Sequence, residues 1–146
     1  MSEKMLSGRL TLKTGEVFNG FIPRWYSGTT FGETVFNTGM VGYTEILTDP
    51  SYEGQIVCFT YPSIGNYGVE DKNHWESDRI SVSGVVVSEL SHYHDRVQSR
   101  SSFENFCKVH KVPIISGIDT RFLTKVLRVK GVVSGAIVAG ESNPIS

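Results

Sequence analysis

The run Gln55-Ile56-Val57-Cys58-Phe59-Thr60-Tyr61 constrains this chain more than any other segment. Its apolar residues are nearly continuous rather than alternating, so a strand built from it must be covered on both faces. Ser81 to Leu90, with Val85, Val86 and Val87 at its centre, makes the same demand. Two strands of this kind require layers on either side and point to an α/β fold. A chain of 146 residues fits one domain, and at that size about 68–70% of the unfolded surface is buried, enough for a core without staples.

The rest of the chain supplies the layers. "GRLTLKTGEVFNGFI" alternates about Lys13-Thr14-Gly15 and reads as a hairpin, with strands near 8–12 and 17–21. Pro23 to Thr30 reads as a loop, and Glu33 to Asn37 as a short strand rich in β-favouring residues. Tyr43, Ile46 and Leu47 fall at i, i+3 and i+4, which predicts one or two helical turns from Gly42 to Leu47, stopped before Pro50. "YPSIGNYGVEDKNHWESD" is a turn-rich loop broken by Pro62, Gly65 and Gly68. Ser101 and Glu104 fit a capping box for a helix near 102–110, ended by Pro113. "PIIS" is a short strand. A second helix near 120–130 opens at Asp119 or Thr120, carries Phe122, Leu123, Val126 and Leu127 as its apolar stripe, and closes at Gly131. A last strand spans 133–139, and residues 141–146 read as the start of a linker.

Candidate chemistry is sparse. The formal net charge of −1 shows no cationic field, which disfavours nucleic acid as a partner. The N-terminus has no long apolar run, and no stretch approaches the ~18 residues of a membrane span, so a cytoplasmic protein, or one in an organelle matrix if a transit peptide has been removed, is expected. Cys58 lies inside an apolar strand, where a thiol packs as a small hydrophobe instead of acting as a nucleophile. Cys107 and His110 could share a metal at i and i+3, but two ligands do not make a site. His92 and His94 point the same way in extended chain and, with Asp95, suit a metal or a proton shuttle; their setting is polar and loop-like. Arg121, Lys125 and Arg128 line one helix face, either as a solvated face or as a partner surface. Gly39-Met40-Val41-Gly42 before a helix could meet an anion, without the lysine or serine of a phosphate loop. Residue by residue, no catalytic group, cofactor site or metal site is expected, and the reading is an interaction or support module.

Three motifs in order go further. "GETVFNTGMVGYTEILTDPSYEGQIV", "TYPSIGNYG" and "GIDTRFLTKVLRVKGVVSGAI" resemble the N-terminal domain of the small subunit of glutamine-hydrolysing carbamoyl-phosphate synthetase, from roughly Gly8 to Ala139. Val41 departs from the threonine usual before Gly-Tyr, and "NHWESDRI" is a looser loop than the family's. The resemblance implies a three-layer swivelling β/β/α domain over residues 1–140. It also implies that the glutaminase domain, with its Cys-His-Glu constellation, lies outside this chain beyond the linker at 141–146. Neither Cys58 nor Cys107 matches that domain's nucleophile motif.

In such enzymes the Asp-Pro-Ser-Tyr turn lies near the glutaminase pocket and its serine contacts glutamine; the matching position is Ser51, with Tyr43, Glu45, Asp49 and Tyr52 as scaffold. The resemblance implies docking to the large synthetase subunit and a share in passing ammonia to it. The whole ligase makes carbamoyl phosphate from glutamine, bicarbonate and two ATP for arginine and pyrimidine synthesis, whereas this chain alone is expected to be inactive. The competing expectations are a free-standing protein-interaction module of the same fold and a small metal enzyme using His92, His94 and Asp95.

Overall fold

The computed structural model describes residues 5–38, 43–60, 80–88 and 107–140. Within them lie seven strands: β1 (Leu6–Leu12), β2 (Val17–Ile22), β3 (Thr29–Asn37), β4 (Gln55–Phe59), β5 (Gly84–Val86), β6 (Ile114–Ile115) and β7 (Val133–Ala139). Helix α1 (Tyr43–Thr48) and a 3-10 turn (Pro50–Tyr52) connect β3 to β4, and α2 (Thr120–Lys130) connects β6 to β7. Residues 107–109 are also helical.

The strands form one mixed sheet in the order β2-β1-β7-β3-β4-β5-β6. The half from β2 to β3 is antiparallel and the half from β3 to β6 is parallel. The sheet curls until its two edges touch. Phe21 on β2 and Ser116 just past β6 exchange both backbone hydrogen bonds, at 2.8 and 2.9 Å. Closure of this kind shields edges that would otherwise present unpaired amides and carbonyls. Gly20 makes the approach possible, because a Cβ there would stand 2.4 Å from the Ser116 carbonyl oxygen and 2.8 Å from Ile118 Cδ1.

β4 and β5 are buried on both faces, as their apolar runs require. Ile56, Cys58 and Val86 face one cluster with Leu10, Leu12, Ile137 and the α2 residues Leu123, Val126 and Leu127. Val57, Phe59, Val85 and Val87 face a second, with Leu47 of α1, Cys107, Val112 and Ile114. Helix α2 is set by its ends. The Asp119 carboxylate accepts from the Phe122 amide at 3.1 Å, and Gly131, at φ 79°, donates its own amide to the Leu127 carbonyl at 2.8 Å. In the last turn, Lys130 approaches Glu16 at 3.6 Å.

Several boundaries differ from the sequence reading for physical reasons. β3 begins at Thr29 rather than Glu33, because its polar first half pairs antiparallel with β7 from Thr29↔Val138 onward; the predicted loop is correspondingly shorter. Of the strand expected over 81–90, residues 89–90 lie outside the described residues and only Gly84–Val86 is regular, paired with β4 throughout and with β6 at Val85 and Val86. β4 ends at Phe59, and the Thr60 amide instead donates to the Asn37 carbonyl at 3.1 Å. The capping box at Ser101 and Glu104 and the long loop after Tyr61 lie outside the described residues.

A pinned serine turn and a basic cleft at the strand ends

The Asp-Pro-Ser-Tyr turn is held from several directions. The Asp49 side chain accepts from the Ser51 amide at 2.9 Å, which closes a local turn around the proline. The Tyr52 amide donates to the Asp49 carbonyl and that of Glu53 to the Pro50 carbonyl. The Tyr52 hydroxyl accepts from Asn37 Nδ2 at 3.2 Å, and Tyr52 packs on the second core cluster. From below, the Gly54 amide donates to the Ser81 carbonyl, and the Ser81 amide to the Leu47 carbonyl at 2.7 Å. Ser51 itself is exposed, and among the described residues its hydroxyl has no hydrogen-bond partner. The turn therefore presents a donor and acceptor on a fixed backbone.

The other sequence candidates separate clearly. Cys58 is fully buried, and that burial pushes its thiol up to about 12, far from the thiolate a nucleophile needs. Cys107 is equally buried, and neither cysteine forms a disulfide. Among the described residues no group of three or more His, Cys, Asp or Glu could hold a metal, so Cys107 and His110 gain no further ligand there. His92, His94, Asp95 and the Gly39–Gly42 segment lie outside the described residues. No described helix is long and apolar enough to cross a membrane.

Arg121, Lys125 and Arg128 do come together, as their spacing predicts, on one wall of a cleft of about 440 Å³. The opposite wall was not foreseen. It consists of Thr38, Thr60 and Ser88, which follow the carboxyl ends of β3, β4 and β5, while Thr120 and Thr124 line the cleft from α2. The Arg128 guanidinium lies 5.4 Å above the Phe36 ring, which fixes it beside the cleft. The available sequence signal was a hydroxyl residue one or two positions past the end of each of these strands, but the adjacency of three such ends depends on strand order.

Comparison with known proteins follows the same residues. A family model described as the carbamoyl-phosphate synthase small chain, CPSase domain, matches residues 10–137. The carbamoyl phosphate synthase small chain of Thermotoga maritima is 47% identical over 146 residues, covering 100% of this chain and 36% of its own length. That of Thermosynechococcus vestitus is 46% identical over 136 residues, covering 93% and 35%. The chain thus spans about a third of the length of these relatives. A peptidase M28 precursor from Shewanella amazonensis superposes with a TM-score of 0.46 at 9% identity, over 95% of this chain and 37% of its own, a likeness too slight to carry an argument. From the match over most of its length, this chain belongs to the carbamoyl-phosphate synthase small chain family, within the family's CPSase domain.

Proposed function

We propose that this chain is the non-catalytic N-terminal domain of a carbamoyl-phosphate synthase small subunit, and that Ser51 is its contact to glutamine. The observation that carries the reading is the pinned Asp49–Tyr52 turn, which leaves one serine hydroxyl exposed on a rigid backbone. A glutamine pocket in a separate glutaminase domain, joined through residues 141–146, would take that hydroxyl as an added wall. The domain docks the large subunit and helps retain ammonia on its way there, so that the cytoplasmic ligase makes carbamoyl phosphate for arginine and pyrimidine synthesis. The first core cluster lies between the β1, β2 and β7 half of the curled sheet and β4 and β5, and the second between β4 and β5 and helical residues such as Leu47 and Cys107, which supports the three-layer swivelling β/β/α arrangement. The buried, protonated Cys58 supports inactivity of the chain by itself.

In the intact enzyme, Ser51→Ala is expected to raise KM for glutamine a few-fold, corresponding to roughly 0.5–1.5 kcal/mol for one lost hydrogen bond. Ammonia-dependent synthesis should stay near normal. Steady-state assays with each nitrogen source decide it, and an equal loss with both would assign Ser51 to folding or docking.

A further inference from the structure

We propose that the cleft between the carboxyl ends of β3, β4 and β5 and the basic face of α2 binds a small phosphate-bearing anion. Three independent features converge there. The first is charge. Arg121, Lys125 and Arg128 all line the cleft, and among the described residues no carboxylate lines it and none of the three cations has an ion-pair partner. The chain as a whole has a net charge of −1, so this concentration of positive charge is local.

The second is a violated helix rule. Arg121 sits in the first turn of α2, next to the positive pole of the helix dipole, where acidic residues are favoured and none is present. Arg121 and Lys125, four residues apart, also repel each other. Arg128 and Lys130, by contrast, lie in the last turn, where cations are favoured. Within the chain the Asp119 carboxylate at the N-cap partly offsets that pole while accepting from the Phe122 amide; strained local rules of this kind mark functional positions, and an anion in the cleft would relieve both penalties further.

The third is topology. β3, β4 and β5 run parallel, and the crevice outside the carboxyl ends of parallel strands is where α/β sheets bind ligands. Thr38 and Thr120 line the same cleft and carry hydroxyls that can serve as neutral donors. A planar guanidinium fork matches a phosphate bidentately. Arg128 is steadied for that task by the Phe36 ring. The volume lies within the ~300–1,000 Å³ range of small-molecule sites, so there is room for an organic body beyond the phosphate itself. Ser51 does not line this cleft, so the site is separate from the glutamine contact proposed above and does not depend on it.

The test is an amide-resolved NMR titration of the chain at constant ionic strength with inorganic phosphate, glycerol 3-phosphate and a nucleoside 5′-monophosphate. Saturable shifts are expected at the amides of Thr38, Thr60 and Thr120 to Thr124, at ligand concentrations below about 20 mM. Arg121→Gln, Lys125→Gln and Arg128→Gln, all at exposed positions, should each weaken binding on the order of tenfold while the spectrum stays dispersed. Lys13→Gln, an exposed lysine in the β1–β2 turn, should change nothing. Equal affinity for all three probes assigns the site to free phosphate, and tighter binding of an ester assigns it to a phosphomonoester. Absence of saturable shifts, or shifts that persist in the triple-glutamine variant, overturns the proposal. So does an acidic peptide that moves these amides when phosphate does not, because the face would then be a docking surface.

Discussion

Cys58 shows how one residue's surroundings settle its chemistry. A thiol becomes a nucleophile only as thiolate, and full burial in β4 holds this one protonated, pushed up to about 12 from an ordinary value of 9.0. In the native chain at pH 8 a small thiol reagent should therefore leave Cys58 unlabelled, and denaturant should expose it; mass spectrometry of labelled peptides reads both states. The raised value also sets a direction for stability. The unfolded thiol loses its proton as pH passes about 9, while the folded one keeps it until about 12, so the folded state loses ground progressively across that window. Denaturant midpoints measured from pH 8 upward should fall in wild type and fall less in Cys58→Ala. Rapid labelling of native Cys58 at pH 8, or an identical pH slope in the variant, would contradict the burial argument. Ser51 is the opposite case, an exposed hydroxyl on a backbone fixed by its neighbours, and there only a partner can supply the chemistry.

At the scale of elements, the closure of the sheet is the feature most exposed to a single change. Gly20 faces the Ser116 carbonyl so closely that an added methyl must push β2 away from the end of β6, and backbone cannot yield as a flexible side chain would. Gly20→Ala should cost about 1–3 kcal/mol, in the range of overpacked cores, and chemical denaturation measures it. Hydrogen exchange should show the Phe21 and Ser116 amides losing protection while those of β4 and β5 keep theirs. Uniform loss would mean that the closure is part of the global cooperative unit. This contact was not legible in the sequence, where Gly20 and Ser116 are far apart and carry no pattern that pairs them. β4 was legible because alternation is replaced by continuity, and α2 because Asp119 and Gly131 bracket an apolar stripe. The first half of β3 was hidden by its polar composition, since antiparallel pairing with β7 makes it a strand without burying its side chains. The basic half of the cleft was visible as helical spacing, and the hydroxyl half only once strand order put three chain ends side by side.

At the scale of the whole molecule, the question is what covers this domain in its assembly. A stable subunit contact buries ~1,200–2,000 Å² in total, near 800 Å² from each side, a tenth of the 7994 Å² exposed here. Phe31, at 70% exposure, and Val129, at 83%, already stand in water as candidate apolar anchors on different elements. If the domain docks the large subunit as proposed, the chain alone should bind it, because the contact surface does not require the glutaminase half. Calorimetric titration of the folded chain into the matching large subunit should give saturable binding at or below about tens of micromolar. A folded chain without detectable binding would remove docking from its role. The triple variant Arg121→Gln, Lys125→Gln, Arg128→Gln sharpens the result. A small-anion cleft predicts that subunit affinity survives the loss of these cations, whereas an affinity that collapses with them, and with added salt, would make the basic face of α2 part of the subunit contact. The titration thus separates two uses of one helix that charge pattern alone leaves equivalent.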